Sequence, residues 1–148
     1  MVVQVNGATI MWMSRLQSLV TTSTAESELV AAAMVTEDVL WLRKLLVDLT
    51  DTPPHATVLH CDNEAAVQLV PNNTAAISGR SKHINLQFGF VRGRYFDGVM
   101  PVQHVSTEMQ LADLLTKCVP RPRLNVLGIE LNLIGEDERT GFRYERAE

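Results

Sequence analysis

The chain has 148 residues, which is enough for one domain with its own hydrophobic core and too few for two domains of ordinary size. Hydrophobic residues make up 46% and charged residues 20% of the sequence, a composition that excludes an intrinsically disordered chain. The net charge of −4 argues against a general nucleic-acid coat protein, and the apolar runs are shorter than the about 20 residues that a membrane span needs.

The cysteines and the N-terminus indicate where the protein is expected. Cys61 and Cys118 stand in apolar surroundings and form no CxxC pair, which favours reduced thiols in an intracellular protein over a disulfide or a zinc site. The chain opens without a basic segment followed by an apolar one, so no secretory signal is predicted.

Two strands are predicted at the start of the chain. The runs VVQVN (2–6) and ATIMWMS (8–14) meet at an Asn-Gly pair, which is typical of a tight hairpin turn. Trp12 lies in the second strand and is expected to be a core residue.

A long helix is predicted after an irregular stretch. Ser23 and Glu26 form the pattern of a capping box, in which Ser23 caps the helix and Glu26 reaches back, and the helix continues to about Leu49, before the D-T-P-P breaker. Trp41 is expected in the core, on the shoulder of the buried stripe. Apolar residues at three- and four-residue steps form that stripe: Leu29, Ala32, Val35, Val39, Leu42 and Leu46.

The stretch ATVLHCDNEAAVQLV, residues 56–70, predicts a short strand over 57–61 that is followed at once by a helix from Glu64 to Val70. Asp62 and Asn63 lie between the two elements, and both residue types are good helix N-caps. The Asp62 carboxylate therefore has two interpretations. It caps the helix, or it lies at the carboxyl end of a strand, where open α/β sheets bind their ligands.

The second half of the chain predicts three further helices and one strand. Pro101 in that strand favours an edge position. The whole order is β-β-α-β-α-α-β-α-α, a mixed α/β domain over residues 1–134 with a charged, flexible tail over 135–148. The later elements are a helix from Ser81 to about Phe96, a strand over 99–106, a short helix over 106–117 and a last helix over 120–134.

Basic residues are concentrated in one segment. Residues 80–123 contain seven Lys or Arg and three acidic residues, whereas both flanks are acidic. This distribution suits a protein that contacts a polyanion at one face, and it also suits ordinary solvated helix charge.

Three acidic residues stand out by their position near the ends of elements: Glu28, Asp62 and Asp113. Each of them alone is more often a surface or capping residue than a ligand. Carboxylates that converge at the end of a sheet repel each other unless a divalent cation neutralises them, and oxygen ligands suit Mg²⁺ or Mn²⁺. Two such ions about 4 Å apart form the clamp used for displacement at phosphodiesters.

Four motifs now carry a resemblance. STAESELVAA, LHCDN, RSKHIN and VSTEMQLADLLTK, followed by PRPR, occur in this order. Together they closely resemble the ribonuclease H domain at the C-terminal end of the Ty1/copia retrotransposon polyprotein, and the resemblance covers the chain from about Val3 to Leu133. It implies a mixed five-stranded sheet flanked by helices. It also implies hydrolysis of the RNA strand of an RNA/DNA hybrid with two bound Mg²⁺ (or Mn²⁺) ions.

The resemblance also implies roles for individual residues. Glu28, Asp62 and Asp113 correspond to catalytic metal ligands of the family, so that Asp62 can both begin the helix and face the metals. Contacts with the hybrid are expected from the polar and basic residues Asn63, Arg80, Lys82, His83 and Lys117, through phosphates and 2′-hydroxyls. Three of these have structural alternatives: Asn63 as a first-turn helix residue, His83 as a histidine bonded to a carbonyl, and Lys117 as a solvated helix boundary.

One element of the family pattern is missing. The family's fourth carboxylate lies on a first strand, in a segment resembling S-D-A-D-W-A-G that should precede VVQVNG, and no acidic residue occurs here before Arg15. The expectation is therefore a truncated and impaired ribonuclease H remnant. The alternative is a catalytically dead module that binds nucleic acid or assembles with other Pol segments, such as reverse transcriptase or integrase. A cytoplasmic location, in virus-like particles, is expected from this lineage, with no membrane partner.

Overall fold

The computed structural model describes residues 1–72 and 82–133, so the predicted tail over 135–148 lies outside the described residues. The observed order agrees with the predicted one except at the helix predicted over 106–117, and the mixed α/β class is confirmed. The elements are compatible with a ribonuclease H-like fold. The elements are β1 (Val2–Val5), β2 (Ala8–Trp12), α1 (Thr24–Thr50), β3 (Leu59–Cys61), α2 (Glu64–Leu69), α3 (Lys82–Phe96), β4 (Val102–His104), two 3-10 turns (Thr107–Met109 and Leu111–Leu115) and α4 (Arg121–Glu130).

The chain divides into two compact units. Among the described residues, the central unit contains 15–72 and 82–107, and the terminal unit contains 1–14 and 108–133. The described residues form two two-stranded sheets, one in each unit, where the resemblance implies five strands in one sheet. The predicted extent of a single domain over 1–134 stays a prediction.

In the central unit, β3 and β4 form a parallel pair in which Leu59 lies opposite Val102 and Cys61 opposite His104. Helix α1 packs against α2 and α3. Apolar side chains from these elements form the core of the unit: Leu29, Ala33, Cys61, Ala66, Val70, Phe88 and Val91. This core joins the first turns of α1 to the end of β3.

The predicted capping box at the start of α1 is confirmed. Ser23 Oγ accepts a hydrogen bond from the Glu26 backbone N–H at 3.2 Å. Glu26 is buried and reaches back to Thr22, whose backbone N–H and hydroxyl both donate to Oε2 at 2.8 Å. The helix ends at Thr50, and its C-cap Asp51 is a left-handed residue with φ 52°, shortly before the two prolines.

Part of the predicted core is wrong. Leu29, Val39 and Leu42 are buried as predicted, but the buried side of α1 also includes Ala33 and Thr36, and the two tryptophans are exposed. Because each helical residue turns by about 100°, Trp41 points away from its neighbour Leu42. Trp12 lies on the outer face of β2, with the exposed residues Ala8 and Ile10.

The terminal unit is built on the predicted hairpin. Asn6 and Gly7 have φ values of 51° and 79°, the left-handed conformations that a two-residue turn of this kind requires. The hairpin is bonded to the end of α4: Gln4 Nε2 donates to the Glu130 carbonyl at 2.9 Å and Asn132 Nδ2 to the Gly7 carbonyl at 2.7 Å. These bonds satisfy polar groups at the helix end and at the turn.

The helix predicted over 106–117 is instead two 3-10 turns. They are separated by Gln110, whose ψ of 102° is extended and interrupts the helical path. The Asp113 N–H donates to the Gln110 carbonyl, three residues back, so the second turn starts with 3-10 geometry. Across the described ranges, none of the helices combines the length and the apolar character that crossing a bilayer requires.

Candidate metal centre

Asp62 lies between the end of β3 and the start of α2. The N-cap of α2 is Asn63, whose Oδ1 accepts a hydrogen bond from the Ala66 backbone N–H at 3.0 Å. The interpretation of Asp62 as the helix cap is therefore wrong, because its neighbour fills that role. This leaves the second interpretation of Asp62, a carboxylate at the carboxyl end of a strand.

Glu28 reaches the same place from the first turns of α1. Asn63 Nδ2 donates to Thr24 Oγ1 at 3.4 Å and so bonds the start of α2 to the start of α1. Potential ligand atoms of Glu28, Cys61 and Asp62 all lie within 4.8 Å of one another. The structure thus brings two of the three predicted carboxylates together, from positions 34 residues apart in the sequence.

The thiol of Cys61 is the third member of this cluster. Burial raises the pKa of the Cys61 thiol, a backbone hydrogen bond at Asn63 opposes the shift, and the negative charges of Glu28 and Asp62 raise the pKa further. A raised pKa disfavours the thiolate, the form in which cysteine binds metals, in the metal-free chain. The remaining donors are carboxylate oxygens, which fit a hard divalent cation such as Mg²⁺ or Mn²⁺.

Asp113 lies in the terminal unit and is bonded to two cations there. Only 4% of the residue is exposed. Its Oδ1 lies 2.8 Å from Lys117 Nζ and its Oδ2 lies 2.6 Å from the Arg123 guanidinium. Burial by itself raises the pKa of the Asp113 carboxyl, but the hydrogen bonds and charges of Lys117 and Arg123 outweigh burial and lower it. Its role as a metal ligand beside Glu28 and Asp62 stays a prediction.

Two of the basic residues that the resemblance implies for nucleic-acid binding can be described. His83 is exposed in the first turn of α3, and Lys117 is half exposed beside Asp113. Lys82 begins α3, but its side chain lies outside the described part, as does Arg80.

Other cations of the basic segment have structural partners. Arg92 donates to the carbonyl oxygens of Leu69 and Val70 at 3.2 Å and so completes the C-terminus of α2. Arg94 lies 3.3 Å from the carboxylate of Asp97. Part of the basic segment is therefore explained by the fold itself.

Two site features are not indicated by the sequence pattern. Cys61 has no ligand spacing to another cysteine or histidine, and only its position beside Asp62 in LHCDN could draw attention to it. Arg123 follows Asp113 by ten residues, much further than the three or four residues that separate neighbours on one helix, so their contact depends on how α4 packs.

Comparison with known proteins identifies relatives of this chain among transposon polyproteins. The chain is 33% identical over 121 residues to the retrovirus-related Pol polyprotein from transposon TNT 1-94 of Nicotiana tabacum, which covers 82% of the chain and 9% of that relative. It is 38% and 36% identical over 112 residues to those from transposons RE2 and RE1 of Arabidopsis thaliana, with 76% of the chain and 8% of each relative covered. The chain thus spans less than a tenth of the curated relatives. No protein-family model and no solved structure matches it.

Proposed function

We propose that this chain acts as the ribonuclease H segment of a Pol polyprotein. It belongs to the family of retrovirus-related Pol polyproteins from copia-type transposons. The reaction is hydrolysis of the RNA strand of an RNA/DNA hybrid. The observation that carries the proposal is the meeting of Glu28 and Asp62 at the end of β3, beside the Cys61 thiol.

The carboxylates of Glu28 and Asp62 would hold the divalent cations. When bound, a pair of Mg²⁺ or Mn²⁺ ions supplies an activated water and stabilises the leaving 3′-oxygen. The two acidic side chains are positioned by rigid elements, since Asp62 follows a paired strand and Glu28 lies in a capped helix. The Asn63 cap keeps the backbone after Asp62 in one conformation.

Asp113 enters the proposal as a third acidic residue. Lys117 and Arg123 keep it ionised well below neutral pH, so it carries its charge under the conditions of the reaction. Phosphates of the hybrid are contacted, in this proposal, by Arg80, Lys82 and His83 near the start of α3, where a helix N-terminus favours anions. Asn63 and Lys117 complete the proposed hybrid-binding set. Reverse transcriptase and integrase segments are the proposed neighbours in the polyprotein.

One observation favours a second candidate, a catalytically dead nucleic-acid-binding or assembly module. Both carboxylate oxygens of Asp113 are bonded to cations of the chain itself, an arrangement that stabilises structure. In this case hybrid affinity falls with added salt, as expected for phosphate contacts, and survives Glu28→Ala and Asp62→Ala. Loss of affinity in either variant would exclude the module.

A cleavage assay tests the proposal. The chain, with a labelled RNA/DNA hybrid, is titrated with Mg²⁺ and compared with Glu28→Gln and Asp62→Asn. Both variants are expected to lose more than roughly 100-fold in rate, because even the outer-shell partners of metal ligands contribute about 10–100-fold. Glu64→Gln is the matched control, an exposed acid two residues after Asp62, and is expected to cleave normally. Cleavage without divalent ions, or unchanged cleavage by Asp62→Asn, would refute the proposal.

A further inference from the structure

The thiol of Cys61 lies beside the two carboxylates of the candidate metal centre. Residues that follow one another in a strand point to opposite faces, but β3 ends at Cys61 and Asp62 already lies in the bend that leads to α2. The Sγ atom of Cys61 lies 3.8 Å from the Asn63 carbonyl oxygen, so the thiol is directed to this bend. Glu28 reaches the bend from α1, and ligand atoms of Glu28, Cys61 and Asp62 lie within 4.8 Å of one another. The bend thus collects one sulfur and two carboxylate groups.

The spacing of these donor groups suits a single small cation. A tetrahedral Zn²⁺ ion, with Zn–S bonds of about 2.3 Å and Zn–O bonds of about 2.0 Å, holds its ligand atoms about 3.5 Å apart. Cys61 is only 8% exposed and lies in the core of the central unit, so packing fixes the position of the sulfur. Glu28 is partly buried and has a long side chain, whose rotation brings its carboxylate the remaining distance of little more than about 1 Å.

The donor set distinguishes two classes of divalent cation. Mg²⁺ takes oxygen ligands and water, so a thiol adds nothing to its binding. Zn²⁺ and Cd²⁺ are thiophilic, that is, they bind thiolate sulfur strongly, and carboxylate oxygens and a water complete such sites. When a thiophilic cation binds, a metal–sulfur bond forms and the thiol proton is released to solvent.

We propose that Glu28, Cys61 and Asp62 together form a site for a thiophilic divalent cation, Zn²⁺ or Cd²⁺. This cation uses the same two carboxylates that are proposed to hold Mg²⁺, so it excludes Mg²⁺ from them. The exclusion of Mg²⁺ rests on the proposed function, whereas the binding of Zn²⁺ or Cd²⁺ does not. Cys61 determines the preference between the two classes of cation, because it adds the sulfur ligand.

The test is a titration of the full chain with Cd²⁺, followed by the ultraviolet absorption that a cadmium–thiolate bond produces. The absorption is expected to saturate at about one Cd²⁺ per chain, with release of about one proton. The chain contains two cysteines, and Cys118→Ser, which removes the exposed one, is the matched control that is expected to keep the absorption. No absorption in the wild type, or its loss in Cys118→Ser, would overturn the proposal.

Variants show whether the sulfur and the carboxylates bind the cation together. Cys61→Ser is expected to lose the absorption and to weaken Cd²⁺ binding by at least roughly tenfold. Because Cys61 is a core residue, Glu28→Gln and Asp62→Asn provide a second test that leaves the core intact. Both are expected to need at least roughly tenfold more Cd²⁺ for the same absorption, whereas Glu64→Gln is expected to behave as the wild type. Equal Cd²⁺ affinity in the wild type and both carboxylate variants would assign the cation to the thiol alone and overturn the proposal.

Competition with Mn²⁺ separates this inference from the proposed function. Zn²⁺ is expected to release bound Mn²⁺ from the wild type at a lower concentration than from Cys61→Ser, as measured by electron paramagnetic resonance of the free ion. Release at equal Zn²⁺ concentrations would overturn the role of Cys61. Cadmium–thiolate absorption without any Mn²⁺ binding would contradict the proposed function and support the thiophilic site. Mn²⁺ binding without cadmium–thiolate absorption would overturn the thiophilic site alone.

Discussion

The two units hold their acidic residues in opposite ways. In the terminal unit Asp113 is buried between Lys117 and Arg123, so its charge is neutralised by the chain itself. In the central unit Glu28 and Asp62 lie close to each other and to a thiol. The ion pairs of Asp113 lie within the chain, whereas the proposed function assigns a divalent cation to Glu28 and Asp62. The comparison therefore separates a contact that is present in the fold from a binding site that is proposed.

The largest expected effect is on the Asp113 cluster. Arg123→Ala leaves a buried carboxylate with only the half-exposed Lys117 and is expected to lower the free energy of unfolding by on the order of 3 kcal/mol. Urea unfolding measures it. Arg94→Ala breaks the more exposed pair with Asp97 and should cost less than about 1 kcal/mol. Similar losses of stability in the two variants would contradict the interpretation that the buried Asp113 ion pairs stabilise the fold.

A smaller effect is expected for the central cluster. In the absence of divalent ions, Asp62→Asn keeps the size of the side chain and is expected to change the free energy of unfolding by less than about 1 kcal/mol. Added Mg²⁺ should then stabilise the wild-type chain and leave Asp62→Asn unchanged. Thermal unfolding with and without Mg²⁺ measures both effects, with Glu64→Gln as control. A strong destabilisation by Asp62→Asn would show that the carboxylate is structural.

Loss of the Asn63 cap should have an effect of similar or smaller size. Asn63→Ala removes the bond to the Ala66 N–H and is expected to lower the free energy of unfolding by about 1 kcal/mol. It should also weaken Mg²⁺ binding, because Asp62 loses its fixed backbone. Ser23→Ala removes the cap of α1 and provides a control with a comparable loss of stability. Equal Mg²⁺ affinity in Asn63→Ala and Ser23→Ala would show that the Asn63 cap does not contribute to metal binding.

Acid titration should give the smallest difference. The pKa of Asp113 is lower in the folded chain than in the unfolded one, so its contribution is present above the ordinary aspartate pKa and is lost as the pH falls through the lower folded value. Urea midpoints measured below about pH 4 are therefore expected to fall less steeply with decreasing pH in Asp113→Asn than in the wild type. Parallel pH profiles of the two proteins would contradict a lowered pKa of Asp113 in the folded chain.

Local signals in the sequence predicted much of the fold. The Ser23–Glu26 box and the Asn6–Gly7 turn depend on residues within a few positions of each other, and both are found where expected. The 3-10 turns around Asp113 were harder to predict from the sequence, because no glycine or proline marks the extended Gln110 between them. Trp41 shows a further limit, since a one-residue offset on a helix separates the core from the surface.

The candidate site was predictable only in part, for a related reason. Asp62 and Asn63 are both good helix caps, and the sequence alone does not decide which of them is the N-cap of α2. The structure decides it through the Asn63 bond to Ala66, and this assigns Asp62 to the strand end. The contact of Asp113 with Arg123 depends on packing of α4 and has no local signal.

The central claim is that Glu28 and Asp62 bind a divalent cation together. Its most direct measurement is a titration of the chain with Mn²⁺, in which electron paramagnetic resonance quantifies the free ion, repeated with Glu28→Gln, Asp62→Asn and the control Glu64→Gln. Saturable binding by the wild type and the control is expected, with loss of binding in both site variants. Equal Mn²⁺ binding by all four proteins, or none by the wild type, would contradict joint binding by Glu28 and Asp62.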